Sequence, residues 1–178
     1  MTKKAIFGGG CFWCIEATLS RLNDVTQVTS GHSGGVMPNP TYEQVCSGLS
    51  GHVEVVEVEY DPAIITYHDL LNVFFAMHDP TTLNRQGNDV GEQYRSVIFT
   101  EDAEQKTEAE AFIKQLTDDQ TFDKPIVTEV KLAVEFYKAE EYHQSYYDRN
   151  KDAGYCSVVI SPKIAKLRKS FAHLLKAE

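Results

Sequence analysis

The sequence predicts an α+β domain, with helices packed over a mixed or antiparallel sheet as a two-layer α/β sandwich. Three observations lead there. Val53–Tyr60 alternates with a period of two, the mark of a strand with two unlike faces. Phe12, Ile15, Leu19 and Leu22 recur at helical spacing, as do Leu70, Leu71, Phe74 and Met77. Strand-like and helix-like segments then interleave in the order β-α-β-β-α-β-α-β-α. The 178 residues are read as one catalytic domain, 1–178, long enough to bury roughly 70% of the surface its unfolded chain exposes.

Residues 4–8 form the first expected strand, which Gly8-Gly9-Gly10 ends. The helix carrying Phe12 to Leu22 follows, so Cys11 falls between a glycine turn and a helix N-terminus. Residues 25–31 form a second strand. Residues 31–51 read as a loop, because Gly34-Gly35, Pro38-Asn39-Pro40, Gly48 and Gly51 are turn formers. In Val53–Tyr60, Glu54 shares a face with Val56, Val58 and Tyr60, whereas Glu57 and Glu59 lie on the other. Thr66 is the expected N-cap, with Asp69 in the first turn, of a helix reaching about His78. Residues 79–93 make a loop of uncommon length, and such loops are often functional. A strand over 94–100, a charged helix over 101–116, a strand over 128–136 and a helix over 139–150 follow. Residues 151–157 form a loop carrying Cys156. Ser161-Pro162 then supplies an N-cap and an N1 proline for a last helix.

Seventeen Lys and Arg against 26 Asp and Glu give a net charge of -9, which argues against nucleic acid or an anionic membrane as partner. The basic stretch 163–176 reads as a solvated helix face that complements the helix dipole. Only Ala5-Ile6-Phe7 follows the first lysines before the glycines, too short for a secretory signal. No apolar run reaches transmembrane length. The expected location is cytoplasmic, where four cysteines are expected to be reduced, catalytic or metal-binding rather than a disulfide framework.

Only a thiolate attacks, and a thiol of pKa about 8.5 is mostly protonated at neutral pH. A helix N-terminus offers about half a positive charge and unpaired N–H groups, so Cys11 is expected to have a depressed pKa. The glycines before it are expected to let a substrate approach the backbone. Phe12 fits the core stripe of its helix, but two adjacent aromatics beside the thiol suggest an apolar cage, Phe12 and Trp13, for a small alkyl group on the attacked atom. Cys14 makes a Cys-x-x-Cys with Cys11, which alone suggests a dithiol redox pair. Zinc would need two further ligands; no second Cys-x-x-Cys exists, His52 and His143 are isolated, and no metal is expected. Cys46 reads as a small buried hydrophobe. Cys156, in Gly154-Tyr155-Cys156, reads as a thiol on a loop able to move toward a partner.

These residues sit among others that together carry a resemblance. The stretches are Gly10-Cys11-Phe12-Trp13, Asn39-Pro40-Thr41-Tyr42, Gly51-His52-Val53-Glu54, Tyr60-Asp61-Pro62, His78-Asp79-Pro80, Arg85-Gln86-Gly87-Asn88-Asp89-Val90-Gly91, Gln93-Tyr94-Arg95-Ser96, Tyr142-His143-Gln144 and Gly154-Tyr155-Cys156. In this order, along nearly the whole chain, they resemble the A-type peptide methionine sulfoxide reductases. The resemblance implies a ferredoxin-like α+β sandwich with additional helices and long loops, and neither metal nor organic cofactor. It implies reduction of the S epimer of methionine sulfoxide, free or in proteins, with thioredoxin as reductant. By the same resemblance the nucleophile falls on Cys11, the acid on Glu54, the donors to the sulfoxide oxygen on Tyr42 and Tyr94, the substrate-loop Asp on Asp89, and the methyl pocket on Phe12 and Trp13. The chain departs from the family at His32, where Tyr is usual, at Lys138, where Pro is frequent, and at Cys14, where many relatives have Gly.

On this reading the Cys11 thiolate attacks the sulfoxide sulfur and Glu54, its pKa raised on an apolar strand face, supplies the proton. Tyr42 and Tyr94 donate hydrogen bonds to the developing charge. Methionine leaves, Cys11 becomes a sulfenic acid, and a second thiol closes a disulfide that an external dithiol reduces. Cys156 is the first choice for that thiol because it sits in a loop, and Cys14, one helical turn from Cys11, is next. A general Cys-x-x-Cys thiol–disulfide oxidoreductase is the competing reading, but it leaves Glu54 and the tyrosines unexplained. A binder of oxidised methionine peptides without turnover leaves the thiols unexplained.

Overall fold

A computed structural model describes residues 2–176. Along them run β1 (Lys3–Gly8), α1 (Phe12–Leu19), β2 (Val25–Ser33), α2 (Tyr42–Cys46), β3 (Val53–Tyr60), α3 (Tyr67–Met77), β4 (Arg85–Gln86), β5 (Asp89–Val90), β6 (Val97–Thr100), α4 (Ala103–Asp118), β7 (Glu129–Leu132), β8 (Phe136–Lys138), α5 (Tyr146–Arg149) and α6 (Ser161–Ser170). One sheet has the order β7-β6-β1-β3-β2-β8. Neighbours are antiparallel except β6 and β7, which are parallel. The chain is thus a mixed α+β fold, with helices gathered on the sheet face that carries Ala5, Phe7, Val56, Val58 and Tyr60.

The period-two reading of β3 holds residue by residue. Val56, Val58 and Tyr60 join the main core under the helices, while Val53 and Val55 join a smaller cluster with Ile6, Val97 and Phe99. Glu54 is on the helix side and has no exposure. Helix α1 is apolar nearly all round, and Phe12, Cys14, Ile15, Ala17 and Leu19 are all buried. A helix of that kind belongs in the interior, so the thiol at its start is carried into the core. Thr66 caps α3 as expected: its Oγ1 accepts from Asp69 N at 3.0 Å, and Asp69 Oδ2 accepts from Thr66 N at 3.1 Å.

Several segments depart from the sequence reading. The loop expected over 31–51 begins only after Ser33 and contains α2, capped by a Thr41–Gln44 box. The loop over 79–93 folds into the β4–β5 hairpin and a 3-10 turn, Glu92–Tyr94, so the next strand starts at Val97 rather than Tyr94. The strand expected over 128–136 is two strands at opposite edges of the sheet, because the chain crosses the second face to cover Ile6 and Phe99 with Ala133 and Phe136. The helix expected over 139–150 shrinks to a 3-10 turn, Glu141–His143, and α5. Its competitor is long-range: Gln144 accepts from Ser30 N at 2.9 Å and donates to Ser30 O at 2.9 Å, tying the chain to β2 as a strand residue would. Residues 151–157 are not the free loop expected either. A π-helical turn, Cys156–Ile160, runs straight into α6, so Ser161 lies inside a helix rather than capping one. Cys156 has no exposure.

Candidate active site

Cys11 is the N-cap of α1, with extended backbone (φ -64, ψ 131), and is 6% exposed. The glycines before it serve the chain's own packing rather than an open backbone for substrate. A Cβ on Gly9 would sit 2.7 Å from the His78 ring, and one on Gly10, at φ +88, would sit 2.7 Å from Gln86 Cγ. His78 is itself fixed, with contacts at 2.6 Å to Phe74 O and 2.8 Å to Ser96 Oγ.

The helix start is shared between two acids. Phe12 N donates to Glu54 Oε1 at 3.1 Å, whereas the Trp13 N–H faces the Cys11 sulfur and favours its anion. Burial outweighs that help. The Cys11 thiol is pushed well above its ordinary range by burial, by its hydrogen bond to Cys14 and by the nearby Glu54 charge. The depressed pKa expected from the helix N-terminus is therefore not found, because burial outweighs the Trp13 N–H and the first N–H is spent on Glu54. The low thiol is Cys14, brought down to about 7 by the hydrogen bond from Cys11, with the Lys163 charge helping. A polar chain results. Cys11 bonds Cys14, Cys14 Sγ lies 3.4 Å from Tyr155 Oη, and Tyr155 donates to Asp89 Oδ2 at 2.7 Å. Asp89 is thus linked to the thiols through a tyrosine that sequence reasoning did not single out.

Glu54 combines a complete burial with a half-used carboxyl. Oε1 takes the Phe12 N–H; Oε2 is buried and has no partner among the described residues. Burial raises its pKa to about 8, against the pull of the Phe12 bond, so the group carries its proton at neutral pH. Tyr42, at the start of α2, and Tyr94, in the 3-10 turn before β6, are half-buried and both face Glu54. Burial pushes both hydroxyls upward, so they are donors throughout the physiological range. Cys46 does not follow the expectation of a buried hydrophobe. It is exposed and hydrogen-bonded to Tyr42, because α2 is a short helix lying on the surface.

The aromatic residues beside Cys11 belong to a larger assembly. Phe12 is fully buried and packs on Tyr42, His32 and His143 at centroid distances of 6.1, 5.4 and 5.2 Å. Trp13 is half-buried and stacks on Tyr146 at 3.8 Å and 7°, with Tyr155 edge-on at 5.8 Å. Its indole Nε1 donates to His143 Nδ1 at 3.0 Å. That bond fixes the tautomer: Nδ1 accepts, so the proton of neutral His143 is on Nε2, which is buried and without a partner among the described residues. His143, Tyr146 and Tyr155 come from 139–155, where local pattern gave no sign of a shared wall.

Neither of two other features leads elsewhere. A concavity of about 730 Å³ between α3, α4 and α6 does not reach Cys11, Glu54 or Tyr42. Among the described residues no group of three or more His, Cys, Asp or Glu is placed to hold a metal ion.

Two thiols in contact, one with a pKa near neutrality, place this α+β chain among the thiol-based redox proteins. The comparisons narrow that class. A family model described as peptide methionine sulfoxide reductase matches residues 3–175. Peptide methionine sulfoxide reductase MsrA of Chromobacterium violaceum is 59% identical over 174 residues, 98% of this chain and 99% of that one. Reduced Mxr1 of Saccharomyces cerevisiae superimposes with a TM-score of 0.79 at 32% identity, covering 87% of this chain and 89% of that one. Methionine sulfoxide reductase A of Corynebacterium diphtheriae gives 0.77 at 37% identity, over 88% and 78%. Mxr1 has also been solved in complex with Trx2; there the likeness is one of fold, with a TM-score of 0.57 at 24% identity over 82% and 84% of the two chains. The chain belongs to the peptide methionine sulfoxide reductase family.

Proposed function

We propose that this chain reduces the S epimer of methionine sulfoxide, free or in proteins, to methionine, with Cys11 as nucleophile and Glu54 as proton donor. One observation carries the reading: a buried, protonated carboxyl beside the thiol keeps one oxygen unpartnered. Tyr42 and Tyr94 supply two further donors around the place where a sulfoxide oxygen would sit.

The Cys11 thiol interacts with both Cys14 and Glu54, and the Cys14 thiolate, ionised near neutrality, takes the Cys11 proton as Cys11 attacks. The Cys11 sulfur bonds to the substrate sulfur while Glu54 protonates its oxygen. The oxygen ends on Cys11, methionine is released, and a sulfenic acid remains. Phe12 and Trp13 hold the methyl group, and His143 Nε2 and Asp89 are placed for the polar part of the substrate. A second thiol then attacks the sulfenic sulfur, and water leaves as the disulfide forms. We place Cys14 first and Cys156 second. The loop that favoured Cys156 is helical, whereas Cys14 is in contact and i,i+3 helical positions are about 5–6 Å apart, near disulfide reach. Cys156 is close enough to feel the Cys14 charge, so a relay through it to an external dithiol is short. We assign thioredoxin as that dithiol.

The same proposal includes one catalytic domain over 1–178, of a ferredoxin-like kind, supported by the antiparallel order β6-β1-β3-β2 with α1 and α3 on one face. It includes a cytoplasmic location, consistent with described helices too short or too polar to cross a membrane. The test is turnover of S- and R-epimers of a model sulfoxide with dithiothreitol. Reduction of S alone, abolished in Cys11→Ser, supports the reading. Insulin disulfide reduction that survives while both epimers persist overturns it. Mass mapping after one turnover without reductant decides the thiol order, and a Cys11–Cys156 bond as first product reverses it.

A further inference from the structure

Glu16 is a carboxylic acid in the middle of α1, 4% exposed, and the chemistry above does not use it. It lies three residues after Trp13, on the same face of the helix. Its Oε1 accepts the backbone N–H of Ser145 at 2.6 Å. Ser145 is in the left-handed region (φ 53, ψ 35), which a serine adopts at a cost, and it is the N-cap of α5. The next residue, Tyr146, stacks flat on Trp13. Just past the C-terminal end of α1, Arg21 reaches Asp148 at 2.8 Å and lies over the Tyr147 ring at 5.2 Å.

The environment of Glu16 explains why a carboxyl is there. Arg21, Asp148 and Arg149 all face it, and burial raises its pKa to about 7. Neutral or ionised, a carboxyl oxygen accepts from Ser145, so the bond does not depend on which form is present. Among the described residues Ser145 N donates to no other acceptor, and a left-handed residue at a helix start needs an outside acceptor to stay there. Beyond Ser145, Arg149 donates to the carbonyls of Glu141, Tyr142 and Gln144, so the segment 141–149 is tied together around this anchor. That unit carries His143, which accepts from the Trp13 indole, and Tyr146, which stacks on it.

We infer that Glu16 is a positioning residue for the reductase reaction, holding Ser145 so that Tyr146 and His143 fix the Trp13 wall of the substrate pocket. This rests on Trp13 lining that pocket, but the wall can be read separately. Trp13 is the sole tryptophan of the chain, so its emission reports the wall whether or not substrate touches it. Glu16→Ala is expected to red-shift Trp13 emission and raise quenching by iodide. KM for the S-sulfoxide should rise about tenfold, one factor of ten being ~1.4 kcal/mol. kcat should stay within about twofold, since the thiols and Glu54 are untouched. Glu16→Gln keeps an acceptor of the same reach and should restore both readouts. Glu16→Asp keeps the charge but withdraws the acceptor, so it should behave like Ala; it carries the test if Glu16→Ala does not fold. Tyr146→Ala should reproduce the KM change and add little in the double variant. Wild-type emission and KM in a folded Glu16→Asp, no rescue by Gln, or full additivity with Tyr146→Ala overturns the inference. A displaced Trp13 with an unaltered KM would instead count against Trp13 as a substrate wall, and leave the anchoring by Glu16 standing.

Discussion

Replacing Glu54 by Gln preserves the acceptor for Phe12 N–H and removes little but the acidic proton. The structure sets the size of the effect. With burial holding the carboxyl pKa near 8, roughly nine chains in ten carry the proton at pH 7. The wild-type enzyme is thus almost fully armed, and the variant should lose the whole contribution of the acid, about 10²- to 10⁴-fold in the rate of sulfenic acid formation. The assay is rapid-quench single turnover with the S-sulfoxide, following methionine release. Binding should change little, because Gln fills the same volume. The pH profile adds a second check. The acid form disappears as pH rises through about 8, so the wild-type rate should turn downward there, and Glu54→Gln should lack that limb. A Gln variant within about threefold of wild type, or one that keeps the limb, would refute the proton-donor argument.

Other expectations follow from the same geometry. Tyr42→Phe and Tyr94→Phe should each slow sulfenic acid formation about 10- to 100-fold with KM nearly constant, as befits donors to developing charge, each worth about 1.5–3 kcal/mol; stopped-flow traces at saturating substrate check this. Gly10→Ala should destabilise the fold by about 1–3 kcal/mol in urea titration. The added Cβ meets Gln86, whose amide is held by two bonds to the Asp79 backbone at 3.0 and 2.9 Å. Stability should also fall with rising pH through the Glu16 and Glu54 transitions. Both carboxyls are raised in the folded chain, to about 7 and about 8, so their contribution is complete below about pH 4.5 and is lost as pH climbs through 7 to 8. Denaturant titrations at pH 5 and pH 9 should show a smaller decline in the Glu16→Gln/Glu54→Gln double variant than in wild type.

How much of this was legible in the sequence depends on whether a residue's surroundings are local. Period-two alternation in β3 put Glu54 on the apolar face, and a local cap put α3 at Thr66; both are set by neighbours within four residues. The 139–157 region was misread because its local pattern is helical while its partners are distant. Gln144 pairs with Ser30 and Ser145 with Glu16, and those bonds override propensity. The aromatic wall is built from that region, so only Phe12 and Trp13 were visible in advance. The acidity of Cys11 failed for a different reason. A helix N-terminus is readable from sequence, but the depth at which it lies is not, and depth decides the sign. The family resemblance named Cys11, Glu54, Tyr42, Tyr94 and Asp89; Tyr155, which links Asp89 to Cys14, emerged only from the packing.

The transfer of oxygen from the substrate to Cys11 is the step on which the mechanism rests. It is tested most directly by single turnover in a Cys14→Ser/Cys156→Ser variant, where no designated thiol remains to resolve the product. One equivalent of the S-sulfoxide should still yield one equivalent of methionine, more slowly because the Cys14 proton acceptor is gone, and a dimedone adduct should map to Cys11. Methionine formed without any adduct at Cys11, or equal yield from the R epimer, would contradict the account.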